Sequence, residues 1–228
     1  EAFEANGIVS QTDGVYYVDM QKLTELILAG TTWEELGLPE LYGQVSVDTT
    51  DPTASNSGNM FAALLACVLN GGQTVDETSV ESILPELKQI FDGLGYMETS
   101  SSDLFQQFLR TGVGDKPVIA GYESQLLEFA VQYPEDYEQI RDDIVMLYPT
   151  PTVWSTHVYI ALDEAGREGA RALLDEEVQQ IAWKKHGFRT SAYQAAGETA
   201  VEGIATQVNS VISAPVYPAM KKIIDALQ

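Results

Sequence analysis

A chain of 228 residues with 45% hydrophobic and 20% charged residues carries enough apolar material for one large core or two small ones, which argues against disorder. Its formal net charge of −22 and pI near 4.1 oppose binding to nucleic acid or to anionic lipid, because both demand clustered Lys and Arg and only 12 are present. A small anionic ligand stays open, since a few inward-aimed N–H and hydroxyl dipoles outweigh screened charges further away.

The single Cys67 sits inside Phe61-Ala-Ala-Leu-Leu-Ala-Cys-Val-Leu69, so it is expected buried as a small hydrophobe, and no intrachain disulfide can form. One cysteine says little about compartment, because a chain with a large core needs no disulfide. No apolar stretch approaches the ~20 residues that span a bilayer. The opening Glu1-Ala-Phe-Glu-Ala-Asn-Gly7 reads as the end of a helix, and a mature or excised fragment is expected.

In chain order, a strand over 15–18 leads to Asp19, which can cap a helix whose Leu23, Leu26 and Ile27 share a face before Gly30 closes it. Residues 32–37 predict a shorter helix, 44–48 a strand, and about 57–70 a helix with Met60, Phe61, Leu64, Leu65, Val68 and Leu69 at helical spacing, stopped by Gly71-Gly72. A helical stretch over 75–93 contains Pro85, expected to mark a break or a first turn. A further helix follows over 102–109, ending towards Gly112.

Residues 117–120 predict a compact strand, with Gly121-Tyr122-Glu123 and a helix containing Leu126, Leu127, Phe129 and Ala130 behind it. Strands are expected over 144–148 and 153–162, around Pro149-Thr-Pro151, and the remainder is mostly helical. This alternation implies an α/β fold, a three-layer sandwich with a mixed, mostly parallel central sheet. In such folds ligands bind in loops at the carboxyl ends of strands, which singles out loops 49–58 and 121–124.

The first of those loops is the more informative. Ser55, Asn56, Ser57, Gly58 and Asn59 open an apolar helix, where unpaired N–H groups and the positive end of the helix dipole favour an anion; the same residues also suit an ordinary N-cap. Tyr122 and Glu123 would face the same cleft, or simply begin a helix. Enzymatic patterns are weak. His157 and His186 form no close metal-ligand spacing and read as bystanders, so no metal site is expected. Gly121-Tyr-Glu-Ser124-Gln lacks the second glycine of a nucleophile elbow, and neither a Walker loop nor G-x-G-x-x-G occurs. No catalytic residue and no cofactor are assigned.

Four segments together resemble extracellular solute-binding proteins of ABC importers, closest to the type II group related to the sulfate and molybdate binders. They are Asp51-Pro-Thr-Ala-Ser-Asn-Ser-Gly-Asn-Met-Phe61, Val118-Ile-Ala-Gly-Tyr-Glu-Ser-Gln-Leu-Leu127, Tyr148-Pro-Thr-Pro-Thr-Val-Trp154 and Gln179-Gln-Ile-Ala-Trp-Lys-Lys-His-Gly-Phe-Arg-Thr190. The resemblance implies a Pro-x-x-Ser-x-x-Gly-like loop over an oxyanion, an aromatic-Glu pair after a later strand, and a Gly-Phe-Arg segment returning to the first lobe. It implies lobe 2 over 40–148, with 1–39 and 149–228 as the remainder of lobe 1 and the hinge. The N-terminal half of lobe 1 would be missing, leaving apolar surface for a homodimer or another partner.

Function follows from the resemblance as an expectation: a bacterial, lipoprotein-type component, extracellular or periplasmic, binding a small polar solute, an oxyanion by preference. The closed form would be presented to an ABC permease in the membrane. Ser55, Asn56, Ser57, Gly58 and Asn59 would hold the solute, and Tyr122 and Glu123 would shape the opposite wall, although a carboxylate there repels a fully ionised oxyanion. Trp154 would stack on ligand or, better in keeping with its place, serve the core or hinge. A surface interaction or adhesion module on the same frame is the alternative, and a hydrolase using a cleft Glu or Ser the third.

Overall fold

The computed structural model describes residues 1–190 and 199–228. The helical expectation for the C-terminal part therefore lies outside the described residues over 191–198. A short helix α1 (Ala2–Ala5) leads into strands β1 (Val9–Thr12) and β2 (Val15–Asp19), then α2 (Met20–Leu28), α3 (Asn56–Leu69), α4 (Val80–Leu94), α5 (Ser101–Thr111), α6 (Glu123–Gln132) and α7 (Pro134–Ile140). Strand β3 (Leu147–Thr150) precedes α8 (Glu164–Leu173), α9 (Glu176–His186) and α10 (Tyr217–Ala226).

The chain is mixed α/β, and among the described residues its sheet is small: order β1-β2-β3, with β1 antiparallel and β3 parallel to β2. Among the described residues no larger, mostly parallel central sheet is assigned beyond isolated bridges. Residues 44–50 explain why, because the backbone changes neighbour every few residues. Gln44 pairs with Thr32, Asp48 with Ile119 and Thr50 with Glu98, so no ladder grows long enough to be a strand. The expected strand over 117–120 is likewise the single parallel bridge at Ile119.

Helix α3 is the centre of the larger core. Ala62 to Val68 are all buried, and α2, α4 and α10 pack around it. A helix apolar on every side is stable only when enclosed in this way. Pro85 falls inside α4 rather than at a break. An interior proline costs about 3 kcal/mol, but burying Ile83, Leu87, Ile90 and Phe91 at roughly 1.5–3 kcal/mol each more than offsets it. Residues 32–37 form a hydrogen-bonded turn instead of a helix: Glu35 accepts from the Thr32 N–H and hydroxyl, and Gly37 at φ +85° turns the chain away.

A second cluster joins Leu126, Leu127 and Ala130 of α6 to Trp183 of α9 and to Val201 and Ile204; Val15, Tyr148 and Ala205 form a small third. Helix α9 packs on α6 because Gly187, left-handed at φ +67°, allows close approach: a Cβ there would lie 2.7 Å from Leu127 Cβ. The expected lobe boundary between 148 and 149 falls inside β3. Residues 153–162 form no paired strand, and Trp154 is exposed rather than part of the core, because the described residues offer this segment no neighbouring strand beyond Thr152.

Candidate functional site

The parallel bridge of Asp48 with Ile119 sets the two expected loops side by side. The Asp48 N–H donates to Val118 O at 2.9 Å and the Ala120 N–H to Asp48 O at 2.8 Å, so both chains run in the same direction and both loops leave at their carboxyl ends. Lys116 reinforces the pair, its Nζ lying 2.8 Å from Asp48 Oδ1 in a largely shielded ion pair. The loops then meet: Asn56 Nδ2 donates to the Tyr122 hydroxyl at 3.2 Å.

At the start of α3, Ser55 occupies the N-cap with extended backbone, yet its side chain caps nothing. Its hydroxyl is turned to two others. Thr50 Oγ1 donates to Ser55 Oγ at 2.9 Å, Thr50 Oγ1 and Ser57 Oγ are 2.8 Å apart, and Ser55 Oγ and Ser57 Oγ are 2.8 Å apart. Meanwhile the N–H groups of Asn56, Ser57 and Gly58 find no acceptor among the described residues, while Asn59 N donates to Ser55 O. Gly58 is required here by contact, because a Cβ would lie 2.1 Å from Thr50 O. The helix start is thus pressed against the strand end that supplies Thr50. Asp51, the nearest acid in sequence, is occupied by the Thr53 N–H and hydroxyl, both at 2.7 Å.

Such an arrangement can do one thing well chemically. Three hydroxyls that donate to one another can each rotate a proton towards an incoming acceptor, beside three helix N–H groups already unpaired and the positive end of the dipole. The partners seen for the three hydroxyls among the described residues are one another.

Glu123 is held from the side of Arg189 and Tyr148. It accepts from Arg189 Nε on Oε1 at 2.5 Å, from Arg189 Nη2 on Oε2 at 3.0 Å and from the Tyr148 hydroxyl on Oε2 at 2.7 Å. Arg189 also donates to Ala205 O at 2.7 Å and lies over the Trp183 ring. Burial works against the Arg189 charge, but Glu123 outweighs it and holds the guanidinium above its usual value. Burial, then the Glu123 charge, pushes the Tyr148 phenol well above its ordinary value. The Gly-Phe-Arg segment therefore returns to the start of α6, within the span expected as lobe 2. A carboxylate paired this way exerts less repulsion on an anion than a bare one.

Of the expected residues, Ser55, Asn56, Ser57, Gly58 and Asn59 lie on one loop, joined to Tyr122 of the other through Asn56, and Glu123 beside Tyr122 is bonded to Arg189 and Tyr148. Thr50, buried and central to the hydroxyl triangle, went unrecognised, although it closes the Val45-Ser-Val-Asp-Thr-Thr50 run that ends the expected strand. His186 meets Glu128 at 2.7 Å and His157 the Phe188 ring edge-on; neither approaches the loops.

A cavity of about 910 Å³ opens elsewhere, at the carboxyl ends of β2 and β3, between Gly7–Ser10, Asp19, Lys22, Gly71, Gly72, Tyr148–Pro151 and 208–210. None of the expected ligand residues lines it. It adjoins the C-terminal end of α3, whose 14 residues place it about 21 Å from the hydroxyl triangle along the helix. Tyr148 touches both regions, lining the cavity while its hydroxyl binds Glu123. No family model, curated protein or solved structure matches this chain.

Proposed function

We propose that this protein is the extracellular solute-binding component of an ABC-type importer, or a large part of one, with the type II binding-protein fold and no chemistry of its own. It holds a small polar solute, an oxyanion by preference, at the start of α3. One observation carries the reading: three unpaired N–H groups at Asn56, Ser57 and Gly58 sit beside the converging hydroxyls of Thr50, Ser55 and Ser57. An ordinary cap would have turned the Ser55 hydroxyl to the N–H groups two or three residues on.

The neighbouring loop adds Tyr122 through Asn56, and the Glu123–Arg189 pair removes the repulsion a bare carboxylate would exert. With no cation bonded to the triangle among the described residues, the site suits a monoanion or a neutral, acceptor-rich solute, bound by dipoles. Closure of two lobes would complete the shell and present the loaded form to the permease. An interaction module is the second reading, favoured by the exposed Val158, Ile160 and Leu162.

A thermal-shift screen with molybdate, tungstate, sulfate, thiosulfate, phosphate, amino acids and sugars tests the proposal. Ligand at about 100-fold over its dissociation constant adds roughly 2.7 kcal/mol, several degrees in melting temperature. A selective shift that Ser57→Leu abolishes is the expected result. Absence of any shift, or a shift indifferent to Ser57→Leu, removes the solute site from α3.

A further inference from the structure

Residues 153–162 have no hydrogen-bonded backbone neighbour among the described residues. Pairing at that side of the sheet stops at Thr152, whose N–H donates to Ser210 O and whose carbonyl accepts from Ile212 N. His157 meets the Phe188 ring at 5.6 Å, a Cβ on Gly169 would lie 2.5 Å from the Tyr159 hydroxyl, and a Cβ on Gly166 would lie 3.2 Å from Ala161 Cα. These three residues touch α8 and the chain leaving α9 while remaining exposed. Val158, Ile160 and Leu162 reach furthest into solvent, at 77%, 73% and 91% exposed, against 53% for Tyr159.

Residues two apart share a face in an extended chain, so pairing as a strand would set Val158, Ile160 and Leu162 in one branched aliphatic row. Exposed strands are normally protected by charge, proline or a bulge. From Thr152 to Leu162 there is no Asp, Glu, Lys, Arg or Pro. Among the described residues the segment therefore has unpaired backbone donors and acceptors, exposed aliphatic side chains and neither charge nor proline against pairing.

We propose that this strand joins two copies of the chain, paired antiparallel about Val158. Its register is self-complementary. Pairing centred on Val158 sets Ile160 opposite Thr156 and Leu162 opposite Trp154, so the outward faces of both strands merge on one side, as a two-fold interface requires. Charge selects the same place. A chain at −22 repels its copy over most of its surface, whereas residues 153–190 hold six Asp and Glu against five Lys and Arg. The proposal is independent of the solute site at α3.

Sedimentation velocity over about a hundredfold range of concentration, at low and high salt, provides the test. The expected result is a dimer that tightens as salt screens the net charge, with amides of 153–162 slowing in hydrogen exchange as the dimer forms. Val158→Lys, which places like charges opposite each other on the two-fold axis, and Ile160→Lys should each give a monomer with unchanged circular dichroism. Both positions are exposed, so neither change disturbs packing. A wild-type monomer at both salts overturns the proposal. So does a dimer that survives both substitutions, or a chain that stays monomeric alone while another polypeptide protects the strand.

Discussion

Arg189, just past the end of α9, grips both carboxylate oxygens of Glu123 at the first residue of α6, at 2.5 and 3.0 Å. The contact ties the C-terminal segment to the loop carrying Tyr122, and so to the edge of the hydroxyl triangle. It also pairs the carboxylate that the sequence sets next to Tyr122.

Arg189→Met leaves Glu123 charged and shielded without its partner, a loss of about 3–5 kcal/mol in urea denaturation. The double variant Glu123→Gln with Arg189→Met should cost less than the single one, because no unpaired charge remains. A single-variant loss below about 1 kcal/mol would mean the pair behaves as a surface salt bridge.

Two helix starts should respond differently to alanine. Asp175 accepts from the N–H groups of Glu177 and Val178, so Asp175→Ala should cost about 1 kcal/mol. Ser55 caps nothing, and Thr50 and Ser57 keep each other as partners, so Ser55→Ala should cost clearly less. Equal losses in paired urea melts would show that Ser55 acts as an ordinary cap.

Gly58→Ala should lower the melting temperature, although alanine favours a helix by up to about 1 kcal/mol over glycine. The added Cβ would stand 2.1 Å from Thr50 O, 2.8 Å from Asp51 C and 2.8 Å from Pro52 N, all backbone that cannot rotate aside. Overpacking of this kind costs roughly 1–3 kcal/mol or more. A variant as stable as wild type would refute the close approach.

Tyr148 makes stability depend on alkaline pH. Its phenol is raised in the folded state by burial, then by the Glu123 charge, so the unfolded chain ionises first. The contribution is complete below an unfolded pKa of about 10 and is lost as pH rises above it, at up to about 1.4 kcal/mol per unit. Tyr148→Phe should flatten that part of the profile in urea melts between about pH 8 and pH 11. Parallel profiles would place Tyr148 in contact with water.

The Cys67 thiol is buried and its pKa is raised by that burial, with Sγ 3.6 Å from Ser213 O. Ellman's reagent should label it only at the rate of unfolding, and in full once denaturant is added. Rapid labelling of the folded chain would show an opening at α3.

Helices are decided within a few residues, and most of them could be read along the chain. Asp19 caps α2 by accepting from Lys22 N, as its type and place suggest, and the apolar spacing from Met60 to Leu69 marks α3 within a residue of each end. The same spacing foretold the burial of Cys67. Pro85 was misjudged because local propensity counted against it, while the burial that holds α4 together comes from α3 and α10.

Strand pairing and site geometry were decided only in three dimensions. Residues 44–48 and 153–162 have the composition of strands, but a strand exists by its partner, and the first finds a different one every few residues while the second finds none among the described residues. At the candidate site, the run Ser55 to Asn59 beside Tyr122 was legible, since a helix start and a loop after a strand leave local marks. That Glu123 turns to Arg189, 66 residues away, was not. A carboxylate looks the same in sequence whether it meets a solute or a guanidinium. Sequence determined where N–H groups would be left over, and tertiary packing determined which charges were free to face them.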